Sequence, residues 1–217
     1  MINFIPIFPL NIVVYPGEQL NLHIFEPRYK QLIRECVQEK KPFGIPTVID
    51  HKLEEYGTRV FVTEIVKEYD NGELDITTRG EDVFRILEVI REVPEKLYEA
   101  AIVDYPANVF SAPPQLMPRI LPVIRELHKL LNVSKSFKKK DEELSSYDVA
   151  HHVALSLNEE YELLTLLRED QRLEYLKRHL NKVVPFLSQM ELLKEKIKLN
   201  GHFRNLEGLD FEWKADK

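Results

Sequence analysis

The sequence predicts an α+β fold in which a β-rich part precedes a helical one. Three observations carry that prediction. Up to about residue 105, segments rich in Val, Ile, Thr, Tyr and Phe are cut by short turn signals: Tyr15-Pro16-Gly17, Gly57, Asp70-Asn71-Gly72 and Thr78-Arg79-Gly80. Beyond the join glycine is missing until Gly201, leucine becomes frequent, and apolar residues recur at helical spacing. The join itself, Asp104–Asn108 into Ala112-Pro113-Pro114, is proline-rich and short of core residues, the composition of a linker. The expected division is 1–110 for the β-rich subdomain and 111–217 for a helical bundle.

The elements follow in order. Phe8–Val14 reads as a strand that ends in a tight Pro16-Gly17 turn. A second strand follows, in which Leu20, Leu22 and Ile24 alternate with Asn21, His23 and Phe25. Glu26-Pro27 turns the chain into a helix over Pro27–Glu39. Pro27 suits the first turn, and Leu32, Ile33, Cys36 and Val37 form one apolar stripe. Arg28 stands at that helix start, where a cation is electrostatically unhelpful, so it needs a partner such as Glu26. Asn71-Gly72 tolerates positive φ and predicts a hairpin between Thr58–Tyr69 and Glu73–Ile90, with a bend or bulge at Gly80. Leu97–Asp104 reads as another strand.

In the second half, Gln115–Leu131 places Met117, Ile120, Leu121, Ile124 and Leu127 on one helical face. Asn132–Glu143 reads as a polar loop. Ser146, Asn158 and Asp170 are expected N-caps of three further helices. A last helix, Val184–Asn200, carries Phe186, Met190, Leu193 and Ile197 on one stripe, and Gly201 is placed to end it. The tail holds the single tryptophan within Phe211-Glu212-Trp213-Lys214, which either docks or stays loose.

Composition excludes several classes. One Cys among 217 residues rules out an internal disulfide framework and a cysteine-based zinc site. No apolar run approaches the roughly 18 residues of a membrane span, and the first residues lack the basic start of a signal peptide. The expectation is a soluble, cytoplasmic protein. A formal net charge of −6 argues against nucleic acid as the main partner. No phosphate-binding, dinucleotide, zinc-protease or nucleophile-elbow motif is present. Neighbouring His151 and His152 would point about 100° apart on a helix and do not share one ion easily. Cys36 lies on an apolar stripe, the setting of a core thiol. The acidic pairs fall at predicted turns and helix starts, and the Lys138–Lys140 run is followed at once by three acids. No catalytic residue, metal site or cofactor is therefore expected.

The stretch Phe8-Pro9-Leu10-Asn11-Ile12-Val13-Val14-Tyr15-Pro16-Gly17-Glu18, continuing through Leu22-His23-Ile24-Phe25-Glu26-Pro27-Arg28-Tyr29, closely resembles the opening motif of the Lon protease N-terminal (substrate-binding) domain. Shorter segments resemble later parts of the same family: Tyr56-Gly57-Thr58, Asp70-Asn71-Gly72, Thr78-Arg79-Gly80, Phe84-Arg85-Ile86, and Leu163-Leu164 through Leu176. The resemblance implies a PUA-like β-barrel followed by a helical bundle. A full Lon protease continues into ATPase and Ser-Lys peptidase domains. The 217 residues hold neither, so the expectation is a stand-alone, non-catalytic relative. In Lon this region is associated with recognising unfolded or tagged substrates; the resemblance does not carry that role to a free-standing copy, and the first functional expectation is a binding module for unfolded or partially folded protein segments, as an adaptor or modulator beside a protease or chaperone. An apolar groove near the join is expected, with Tyr15, Leu22, Phe25, Tyr29, Tyr69 and Phe110 as candidate liners. Pro16, Gly17, His23, Glu26, Pro27 and Arg28 carry the structural motif. The alternative is a PUA-like module for RNA or a small ligand, which requires Arg59, Lys67, Arg79, Arg85 and the Lys138–Lys140 loop to share one basic groove.

Overall fold

The computed structural model describes residues 3–134 and 136–204, with side chains through Lys198. It is a mixed α+β structure with an antiparallel sheet, a helical second half and a long last helix. The strands are β1 (Asn3–Pro6), β2 (Gln19–Ile24), β3 (Phe43–Ile49), β4 (Lys52–Glu68), β5 (Leu74–Ile90) and β6 (Ala100–Asp104). Their order is β1-β6-β5-β4-β3, and β2 pairs with the first half of β5. Residues following β1 close the ring against β3: Phe8 N–H donates to Gly44 O at 2.8 Å, and Val48 N–H to Leu10 O at 2.8 Å. α1 (Pro27–Glu39) covers one side of the barrel, burying Tyr29, Leu32, Ile33 and Cys36.

The segment before Pro16-Gly17 is not the expected strand. Residues 7–10 make only isolated parallel bridges, Ile7 to Gly44 and Leu10 to Thr47. The side chains that follow serve two cores at once: Val13 and Tyr15 enter the bundle core, and Val14 enters the barrel core. A regular strand would send alternate residues to opposite faces of one sheet, and this segment does not lie within one. β1 and β3 were not anticipated. β3 is buried almost throughout and contains Pro46, so it shows neither alternation nor an uninterrupted β-former run.

The helical half comprises α2 (Leu116–Leu130), a 3₁₀ turn at Asp141–Glu143, α3 (Ser146–Ala150), α4 (Leu157–Thr165) and α5 (Glu169–Arg204). α2 encloses Pro122 and buries Met117, Ile120, Leu121, Ile124 and Leu127, as its periodicity requires. The caps shift slightly. Ser145 and Ser156 are the N-caps, each in a capping box with Asp148 or Glu159, where Ser146 and Asn158 were expected. α5 begins at Glu169, so Asp170 lies in its first turn. The larger correction is that α5 is one helix: it continues through Pro185 and past Gly201. Pro185 would free the carbonyl of Asn181, and both residues are exposed, so water can satisfy it. The Trp213 segment lies outside the described residues.

Candidate functional site

The linker is held rather than loose. Val109 N–H donates to Leu167 O at 2.7 Å, and Glu169 N–H to Val109 O at 2.9 Å, which stitches the join to the start of α5. Beneath it lies Arg172, wholly buried. Its guanidinium donates to Glu169 Oε2 at 2.8 Å, Asn108 Oδ1 at 2.9 Å, Leu166 O at 2.7 Å and Ser146 Oγ at 2.9 Å. Glu169, also buried, accepts from Ser146 N–H at 2.7 Å and Ser146 Oγ–H at 2.6 Å. Both charges are therefore paired and hydrogen-bonded, as burial demands. The Arg172 carbon Cζ sits 4.2 Å from the centre of the Tyr147 ring and 5.8 Å from that of Phe110.

Phe110 rests on this platform and is 56% exposed. It borders a groove of about 500 Å³. Ala112, Pro113, Met117 and Leu173 give the groove apolar walls, and Glu142 and Glu143 lie at its acidic side. A second groove at the join, of about 550 Å³, is bordered by Ile12, Pro16, Leu20, Tyr147 and His151.

The other sequence candidates fall elsewhere. Tyr15 is buried: its hydroxyl donates to Glu160 O at 2.9 Å and its ring stacks on Tyr147 at 5.1 Å. Burial, reinforced by Glu160 and Glu18, pushes that hydroxyl well above the ordinary phenol range. Tyr29 is also buried, stacked on Phe8 at 3.9 Å, and burial raises its hydroxyl as well. Leu22 packs against the barrel core. Tyr15 and Tyr29 are thus core residues, and Leu22 is partly buried at the edge of the barrel core.

Phe25 and Tyr69 meet on the outside of the barrel around His23. The imidazole of His23 lies 6.1 Å from the Phe25 ring and 5.8 Å, edge-on, from Tyr69. His23 Nδ1 is 2.7 Å from Asp75 Oδ1, and the Tyr69 hydroxyl donates to Asp75 Oδ2 at 2.8 Å. These two hydrogen bonds hold the Asp75 carboxyl below its usual range. Lys67 Nζ stands 4.1 Å from the centre of the Tyr69 ring. Glu26 and Arg28 pair at 2.8 Å at the exposed helix entry.

The Pro16-Gly17 turn ties the barrel to the bundle. Gly17 has φ 85, and its N–H donates to Gly80 O at 2.9 Å. Glu18 accepts the N–H of Tyr15 at 2.8 Å and stands 3.2 Å from His151 Nε2; Glu160 lies 2.7 Å from His151 Nδ1. Burial opposes a charge on His151, but the two carboxylates outweigh it and lift the imidazole to about 9. The sequence reading passed over this pair of carboxylates, because Glu18 and Glu160 are distant in the chain. Arg172 and Glu169 did leave a trace. They share the spacing of Leu173, Leu176 and Leu180, and two charges on an apolar stripe signal a buried pair.

Three of the cations of the nucleic-acid alternative are drawn to separate acids. Arg59 pairs with Glu81 and Asp82, Arg85 with Glu55, and Lys139 with Asp148. Cys36 is buried, and burial beside Glu35 and Glu39 pushes its thiol up to about 12. Among the described residues no group of three or more His, Cys, Asp or Glu could hold a metal ion, and no helix is long and apolar enough to cross a membrane.

The site thus places an exposed aromatic, over a hydrogen-bonded buried arginine, beside a groove with apolar walls. The chain belongs to the family of the ATP-dependent protease La (LON) substrate-binding domain, which it matches over residues 5–182. Two solved structures have its fold. One is a Lon N-terminal domain protein from Xanthomonas campestris: 25% identity, 81% of this chain and 98% of that chain covered, TM-score 0.62. The other is the N-terminal domain of the Lon protease of Mycobacterium avium complex: 13% identity, 83% and 100% covered, TM-score 0.61. The matched domain is the substrate-binding one, not a catalytic one.

Proposed function

We propose that this protein captures exposed apolar segments of unfolded or partially folded proteins, with no chemistry of its own, as an adaptor or modulator of protein quality control. The supporting observation is Phe110. Arg172 holds the Asn108 side chain and the Val109 carbonyl beside it, which lowers the cost of ordering the linker when its exposed ring meets a partner. The groove beside it has the size and apolar walls to take side chains of an extended segment. Membership of a substrate-binding family agrees with this reading. A protease or chaperone is the natural recipient of the captured segment, and the cytoplasm, which suits a single reduced cysteine, the natural location.

The test is binding to a permanently unfolded reporter protein, followed by fluorescence anisotropy. Phe110→Ala is expected to weaken binding about tenfold, about 1.4 kcal/mol, while leaving the melting temperature unchanged. Absence of binding at high micromolar concentration, or equal affinity of the variant, would refute the reading.

A further inference from the structure

The groove beside Phe110 carries charge of one sign. Its apolar walls meet the 3₁₀ turn Asp141–Glu143, and every charged residue that borders it, among the described residues, is acidic: Asp141, Glu142, Glu143 and Glu169. The four are not equivalent. Glu169 is buried and neutralised by Arg172 at 2.8 Å. Asp141 is engaged by Arg125, whose Nη2 lies 2.8 and 2.6 Å from its two carboxylate oxygens. Glu142 and Glu143 are exposed, and among the described residues neither carboxylate has an ion-pair or hydrogen-bond partner. Lys138 and Lys140 precede the turn without bordering the groove, and Lys139 between them is drawn off to Asp148 at 2.7 Å.

An acidic turn in water is ordinary. Its position here is not, because it closes one side of a groove whose other walls are apolar and whose mouth carries the exposed Phe110. Two uncompensated carboxylates at that rim attract a segment that brings cations and repel one that brings acids. Lysine and arginine also suit the walls. Their methylene stems lie along apolar surface while the charged head stays in water.

We propose that this groove selects apolar segments flanked by lysine or arginine, with Phe110, Met117 and Leu173 meeting the apolar side chains and Glu142 and Glu143 the cations. The proposal rests on the reading of the groove as a site for unfolded segments and adds which segments it takes. The formal net charge of −6 acts in the same direction from a longer range, so the test has to separate the rim from the whole surface.

Three fluorescein-labelled peptides serve as probes. They share one apolar core of leucine, phenylalanine and alanine and differ only in flanks of Lys, Gln or Glu. Titrated with the full chain at low salt and followed by anisotropy, the Lys-flanked peptide is expected to bind tightest and the Glu-flanked one weakest, about tenfold apart. In 1 M salt, where the screening length falls to about 3 Å, the gap should close to less than about threefold. Glu142→Gln with Glu143→Gln should narrow the low-salt gap to about threefold. Glu88→Gln with Glu92→Gln removes the same charge from exposed positions away from the groove and should keep it at about tenfold. Equal affinity for all three peptides, with Phe110→Ala weakening each, would overturn the selectivity and leave the binding function standing. A gap that survives Glu142→Gln with Glu143→Gln, or that narrows as much in the control, would assign the preference to net charge and overturn the proposal. Absence of binding by any of the three would remove the selectivity together with the function it rests on.

Discussion

Arg172 shows how much one side chain holds at the join. Its hydrogen bonds reach the linker, the first residue of α3, the loop before α5 and Glu169 one turn away. Removing the cation leaves the Glu169 carboxylate buried beside Ser146 with no counter-charge. Arg172→Met is therefore expected to cost about 3–5 kcal/mol. Urea unfolding followed by circular dichroism measures this, and the pair replacement Glu169→Leu with Arg172→Met should recover part of the loss. A cost below about 1 kcal/mol for the single change would mean that water or rearrangement replaces the network. Phe110 depends on the same side chain, since its exposed ring lies over the guanidinium.

Among the elements, the β4–β5 hairpin bears most on the site, because β5 carries the Pro16-Gly17 turn. That contact needs Gly80: a Cβ there would stand 2.4 Å from Tyr15 O, and Gly80 N–H donates to Glu18 O at 2.9 Å. The obstructing atom is backbone and cannot swing aside. Gly80→Ala is expected to destabilise by about 1–3 kcal/mol, read as a lowered denaturation midpoint. The hairpin was legible because Asn71-Gly72 and the alternation of Leu74 to Thr77 agree with each other. α1 was readable because Pro27 at its first turn and the stripe of Leu32, Ile33 and Cys36 agree in the same way. β3 was illegible because Pro46 and near-complete burial erase both strand signals. α5 was divided in two because propensity treats Pro185 as a break, whereas exposure on that side makes it tolerable. Periodicity did identify the Phe186–Ile197 stripe, but not that it is exposed. Nor did alternation of aromatics separate Phe25 and Tyr69, which lie outside the barrel, from Tyr15, buried in the bundle core, and Tyr29, buried in the barrel core.

At the scale of the molecule, barrel and bundle share one core: Val13, Tyr15 and Val83 pack with Met117, Ile124, Leu164 and Leu176. The polar counterpart of that shared core is His151 between Glu18 of the barrel and Glu160 of α4. Because folding raises the imidazole to about 9, the charged form is favoured in the folded state. Its stabilisation is in full force below the unfolded value near 6.5 and is lost as pH rises through about 9. The melting temperature of the unmodified chain should fall more between pH 7 and 10 than that of His151→Gln. Parallel curves would show that the ring carries no linked proton.

The closure of the barrel bears on how the chain is made. β1 pairs with β6, Asn3 against Val103, so the first strand synthesised waits for one of the last. At about 5–20 residues per second, that interval is on the order of 5–20 s. The β4–β5 hairpin, whose partners are near in sequence, is complete before it ends. The chain thus passes through a stage in which its own β1 is an unpaired, aggregation-prone edge.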